Sequence, residues 1–142
     1  MNQISQGAKA NLSGKSLEHK VEGILQELDL DYESQVKFTN IYNSPRAKMD
    51  FYVPAHNMYM EVKNQNVAGS VDEKIPFCIA NLLKVEGRGV FVYGGNHFDT
   101  PRGESIIKYA IDKTLESDVE IVHEADLKEY LNEQTSSRQT PQ

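Results

Sequence analysis

Apolar and polar residues alternate through two runs, Met49–Val53 and Met58–Gln65, with Pro54-Ala55-His56-Asn57 between them. A period of two marks a strand with one face buried. A four-residue connection rich in turn formers marks a hairpin. In that register Val53 faces Met58, and Asp50 faces Glu61. One face then carries Met49, Phe51, Val53, Met58, Met60 and Val62, all apolar, and is the expected core face. The other carries Asp50, Tyr52, Tyr59, Glu61, Lys63 and Gln65, which sets two carboxylates and an ammonium side by side. Such a face is either a solvated ion-pair network or a reactive centre.

Elsewhere the period lengthens. Leu17, Val21, Ile24, Leu25 and Leu28 form one helical stripe, opened by Ser13 or Ser16 as a cap. Glu18 lies at the rim of that stripe and Glu22 one turn on. Tyr32–Phe38 alternates as a first strand, and the run from Asn40 to Pro45 reads as a loop. Ser70 and Glu73 make a capping box for a helix running to about Lys84, with Ile75, Ile79, Leu82 and Leu83 inward and Pro76 in its second turn. Gly89–Tyr93 has the continuous apolar character of a central strand. It closes in a loop carrying His97, a candidate second catalytic group, and the loop reaches Gly103. Glu104–Leu115 reads as a helix with Ile106, Ile107, Ala110 and Ile111 inward, then Glu120–Val122 as a strand and Ala125–Leu131 as a last helix. The expected organisation is a flexible tail over 1–12, one domain over 13–131 and a second tail over 132–142. Strands alternating with helices after a hairpin imply an α/β fold: a mixed central β-sheet flanked by helices.

At 142 residues, 39% hydrophobic and 25% charged, the chain suits one domain with a proper core. No apolar run approaches the roughly 20 residues that span a bilayer, and the polar N-terminal run does not read as a secretory signal. An intracellular protein with no membrane partner is expected, cytoplasmic or in the host cell if phage-encoded. A single cysteine, Cys78, leaves no internal disulfide and no cysteine-based zinc site within one chain, and its apolar setting suits a buried thiol. The net charge of −6 argues against a non-specific, broadly basic nucleic-acid binder. It leaves room for a local basic patch, for which Arg46, Lys48 and Lys74 are the candidates. Much of the acid lies in Glu116–Glu133.

Asp50, followed after ten residues by Glu61-Val62-Lys63, resembles the motif of the PD-(D/E)XK nuclease superfamily, the restriction-endonuclease-like fold. Met49 stands where that family often has Pro. The resemblance covers about Ser16–Tyr93. Glu18, with Glu22 as the fallback, falls where the family places a glutamate on an N-terminal helix. Gln65 matches a Lys-X-Gln extension, and GSVDEKIPF resembles a segment of small restriction-like and phage-type nucleases. What this implies is phosphodiester hydrolysis with Mg²⁺, for which Mn²⁺ can substitute. Asp50, Glu61, the Val62 carbonyl and Glu18 would serve as ligands, Lys63 as the cation that orients water and offsets phosphate charge, and Gln65 as a holder of water or phosphate.

The implied substrate is DNA, cut site-specifically on both strands in the homing or restriction manner by a homodimer or homotetramer. The alternatives are a Holliday-junction resolvase-like or other structure-specific nuclease, an RNA-processing nuclease, and a catalytically silent nucleic-acid-binding subunit. A small metal-binding protein bearing the motif by chance is a further alternative, and it would leave Glu18 far from Asp50.

Overall fold

The computed structural model describes residues 6–66, 69 and 71–139. Its order is helix α1 (Gln6–Glu27), strands β1 (Glu33–Phe38), β2 (Ala47–Val53) and β3 (Met58–Asn64), helix α2 (Val71–Lys84), strand β4 (Arg88–Gly94), helix α3 (Pro101–Lys113), strand β5 (Val119–His123) and helix α4 (Leu127–Gln139). The five strands lie in sequence order, β1 and β2 antiparallel to their neighbours, β3, β4 and β5 parallel. The fold is α/β and restriction-endonuclease-like, a mixed sheet flanked by four helices.

The layering follows from connection handedness. The steps β3 to β4 and β4 to β5 advance in one direction, so right-handed crossovers put both connecting helices on the same face. Accordingly α2 and α3 pack together through Ile75, Cys78, Ile79, Leu82, Ile107 and Ala110. The opposite face is covered by α1 and α4, through Leu17, Val21, Leu25, Leu127 and Leu131. Strand β3 is central and its apolar residues Met58, Met60 and Val62 are buried.

Several boundaries move. α1 begins at Gln6, earlier than a cap at Ser13 or Ser16, and runs through Ser13 and Gly14 without ending there. α4 runs on to Gln139, past Leu131. α3 begins at Pro101 rather than Glu104: the Thr100 hydroxyl accepts from the Gly103 N–H, and Pro101 fills the first helical position. Ser70, the expected cap of α2, lies outside the described residues. Leu83 and Ile111, expected inward, are exposed at 43% and 45%, because each falls one position off a stripe that Cys78 and Ile79, or Ile107 and Ala110, already fill.

The hairpin has its expected pairing, Val53 with Met58 through Phe51 with Met60, around a 3-10 turn at Pro54–His56 and a left-handed Asn57. Strict alternation fails at one place. Phe51 and Val53 pack under α1, whereas Met49 joins the cluster under α2 and α3. Between them lies Asp50, and across from it Gln35, at φ 52, sits between the Ser34–Phe51 and Val36–Met49 pairs. The expectation of a single apolar face including Met49 is therefore corrected: β2 changes face at Asp50.

Beyond Asn64 the chain is pinned to the turn after β4. Gln65 N–H donates to the Gly94 carbonyl at 3.0 Å, and His97 N–H donates to the Gln65 carbonyl at 3.0 Å. Gly95 passes at φ 100, and a Cβ there would collide with the Gln65 carbonyl. Gly95→Ala should cost about 2–4 kcal/mol from strain and overlap together, read as a lowered urea midpoint at unchanged m-value.

Candidate active site

The β2–β3 ladder stops at Phe51–Met60, and side chains replace carbonyls as acceptors where it ends. The Asp50 N–H donates to Glu61 Oε1 at 3.2 Å, and the Val62 N–H donates to Asp50 Oδ2 at 2.8 Å. Both carboxylates are thus fixed by the partner strand's backbone. This is the physical use of the face change at Asp50: it opens the strands at the point where two acids meet. Lys63 Nζ stands 3.7 Å from Glu61 Oε2, its side chain 29% exposed.

From α1, Glu18 reaches the same place and shares a hydrogen bond with Asp50. Glu22 is committed elsewhere, accepting the Tyr32 hydroxyl at 2.8 Å. Helix α2 supplies the floor. The Cys78 thiol is buried and points its Sγ at Glu61 Oε2, 3.9 Å away. Burial pushes that thiol up to about 11, so it is a neutral donor rather than a nucleophile.

The electrostatics follow from crowding. Burial first, and then the charge of Asp50, raise Glu61 to about 7. Burial, the Asp50 charge and the shared hydrogen bond raise Glu18 to about 7 as well. Lys63 shows the converse. Burial pulls its pKa down, but Cys78, Glu61, Asp50 and Glu18 together outweigh burial and hold it above the ordinary lysine value. Lys63 is therefore a fixed cation at neutral pH, suited to stabilising negative charge rather than accepting a proton.

Glu61 and Lys63 line a depression of about 230 Å³ together with Lys48, Lys74, Phe77, Cys78 and Asn81. Two of the three proposed phosphate-contacting cations, Lys48 and Lys74, thus share the cavity with Glu61. Arg46 is exposed on the loop just before β2 and is not part of the lining. Gln65 is buried two residues beyond Lys63 at the end of β3. The acidic segment 116–133 spans β5 and part of α4, two strands away from β3.

His97 lies elsewhere in the network. Its Nε2 is 2.9 Å from Asp72 Oδ1, both residues are buried, and Arg102 Nε pairs with Asp72 Oδ2 at 2.9 Å. Asp72 and Arg102 line a separate groove with Pro76, Ile106 and Tyr109. His97 thereby fastens the turn after β4 to the first turn of α2. A loop histidine and an aspartate 25 residues earlier carry no sequence signal of their pairing.

Among the described residues no three His, Cys, Asp or Glu side chains form a ready cluster for a metal. Two adjacent carboxylates nevertheless fit Mg²⁺, which binds through one or two carboxylates and keeps several waters. Burial first and the Asp50 charge second hold Glu61 at about 7, and a bound cation would offset that charge.

The family model of the PD-(D/E)XK nuclease superfamily domain matches residues 9–133. The chain belongs to that superfamily and is a nuclease, with nucleic acid as its substrate class. Members of the superfamily generally use divalent metals. No curated protein matches the sequence. No described helix is long and apolar enough to cross a membrane.

Glu18 and Glu22 of α1 give a direct contrast. Glu18→Gln should lower cleavage without lowering stability, since it relieves crowding beside Asp50. Glu22→Ala removes one acceptor from a Tyr32 hydroxyl that Gln26 Nε2 still reaches at 3.0 Å, and should leave both stability and cleavage near wild type. Cleavage rates and chemical denaturation of the two variants check this.

Proposed function

We propose that this chain is a Mg²⁺-dependent DNA endonuclease whose centre is Asp50, Glu61 and Lys63. The observation that carries the reading is the opened end of the β2–β3 ladder, where two backbone-anchored carboxylates meet one half-buried ammonium. Asp50 and Glu61 would hold the ion, with the Val62 carbonyl between Glu61 and Lys63 along the strand. Mn²⁺ would substitute through the same oxygen ligands. When bound, the ion supplies an activated water and a Lewis acid for the phosphate.

The protein's own groups do the rest. Lys63 stays protonated and faces the charge that builds on the phosphate in the transition state. Glu18, linked to Asp50 and raised to about 7, exchanges its proton around neutral pH and can take a water or a second ion once it releases that proton. Gln65 holds water or a phosphate oxygen at the end of β3. Lys48 and Lys74 bind flanking phosphates within the depression, and Arg46 extends the contact along the backbone.

The likeness of the Gly69–Phe77 segment to small restriction-like and phage-type nucleases favours DNA as the polymer. One centre per chain cuts one phosphodiester bond at a time, and a homodimer or homotetramer would supply the two centres for concerted cutting of both strands. Digestion of supercoiled plasmid, four-way junction and RNA with Mg²⁺, Mn²⁺ or EDTA tests the assignment. Discrete metal-dependent duplex cuts are expected. Cutting confined to the junction would make the chain a resolvase, and cutting confined to RNA would overturn DNA as substrate.

A further inference from the structure

Tyr42 lies in the loop between β1 and β2 and is 75% exposed, the most exposed large apolar side chain among the described residues. Its ring is nonetheless ordered by a partner: it stacks on Phe77 of α2, centroids 5.5 Å apart and planes 22° apart. Phe77 and Asn81 belong to the lining of the depression that holds Glu61, Lys63, Lys48 and Lys74. The aromatic pair therefore forms a wall at the mouth of the active site, with one face of the Tyr42 ring open to solvent.

The loop that presents this ring is fastened at several points. Ile41 N–H donates to Oδ1 of the buried Asn81 at 2.9 Å. Lys84 Nζ donates to the Asn40 carbonyl at 2.6 Å. The Asn40 side chain accepts from the N–H groups of Tyr42 and Ser44 at 2.9 and 3.1 Å. A large ring held in water by polar ties, rather than by burial, is preorganised to receive a flat apolar partner at little entropic cost. Exposed aromatics beside phosphate-binding cations are the general means of holding a base that has left the duplex stack.

We infer that the Tyr42–Phe77 pair is a stacking platform for an unpaired nucleobase next to the scissile phosphate. The inference rests on the nuclease reading and deepens it: the substrate is nucleic acid with a nucleotide out of the helical stack at the cut. Lys48 and Lys74 hold the backbone while the base lies on Tyr42. The base comes either from a single-stranded segment or from a nucleotide flipped out at a mismatch.

The test uses the full chain in an Asp50→Asn background, which removes one carboxylate and with it turnover. Three duplexes carrying 2-aminopurine beside the site are compared: fully paired, with a single-stranded extension, and with a mismatch. With Tyr42 present, binding of an unpaired substrate should quench the 2-aminopurine. Tyr42→Ala should weaken that binding about 5- to 100-fold and abolish the quench, while Tyr42→Phe stays within about twofold. A response to the extension alone identifies a single-stranded source, and a response to the mismatch as well identifies flipping; both support the platform. Equal affinity and equal quench for Tyr42→Ala would overturn it, as would a Tyr42→Ala chain that changes its oligomeric state and keeps its affinity, since the ring would then meet a second copy. Cleavage by wild type alongside such a result would leave the nuclease reading standing. A wild-type chain that neither binds nor cuts nucleic acid would overturn both.

Discussion

Asp50→Asn and Lys63→Ala are each expected to remove cleavage while the protein stays folded, with Lys63→Ala lowering the rate by about 10²–10³. The reasoning differs for the two. Asn at position 50 keeps an oxygen for the Val62 N–H, which approaches Asp50 Oδ2 at 2.8 Å, so the strand junction survives. It loses the charge that would hold a metal. Ala at position 63 removes the cation that offsets negative charge on the phosphate, and Glu61 loses its ion-pair partner at 3.7 Å. The two variants should therefore part company in stability. Asp50→Asn relieves repulsion on Glu61 and Glu18, and its metal-free form should melt above wild type at pH 8. Lys63→Ala leaves the acids uncompensated and should melt below it. Single-turnover cleavage and thermal melting on the same preparations separate these effects.

The second large effect is on the pH dependence of stability. Glu61 and Glu18 stand at about 7 in the folded chain against 4.5 as the ordinary value. Between those values the folded state retains protons that the unfolded state has released, so stability falls as pH rises through that window. Above it both acids are charged and the penalty is complete; below 4.5 they are protonated in both states and the penalty is absent. The metal-free protein should thus be more stable at pH 5.5 than at pH 8 as far as this cluster decides. Mg²⁺ at about 100 times its dissociation constant should raise the melting temperature at pH 8 by about 5–10 °C and have little effect at pH 5. Glu61→Gln should flatten the pH profile and abolish most of the Mg²⁺ shift. Melting curves at several pH values, with and without Mg²⁺, decide it. A profile that rises from pH 5.5 to 8 would contradict the crowding of Glu18, Asp50 and Glu61.

The pairing of Asp50 with Glu61 is legible in the sequence because a four-residue connection sets the register and alternation does the rest. The stripe of α1 is legible for the same reason, and it put Glu18 at the rim nearest the acids. The resemblance favours Glu18 with Glu22 as the fallback; that Tyr32, outside the helix, takes up Glu22 is not legible. The displacement of Met49 escapes the pattern because β2 changes face opposite Gln35, a residue with no sequence signal for φ 52. The exposure of Leu83 and Ile111 escapes it too, since periodicity names a stripe but not how wide its neighbours make it. The state of Lys63 depends on the balance of burial against several acids, which only the packed structure sets. Tyr42 reads as a loop residue until its ring is found on Phe77, from a helix whose sequence neighbours are far away.

The most direct test of the central claim is cleavage of supercoiled plasmid by wild type with Mg²⁺, beside EDTA and beside Lys63→Ala. The account predicts metal-dependent product from wild type and essentially none from the other two. Equal cleavage by Lys63→Ala, or cleavage undiminished by EDTA, would contradict the claim that Asp50, Glu61 and Lys63 form a metal-dependent phosphodiesterase centre.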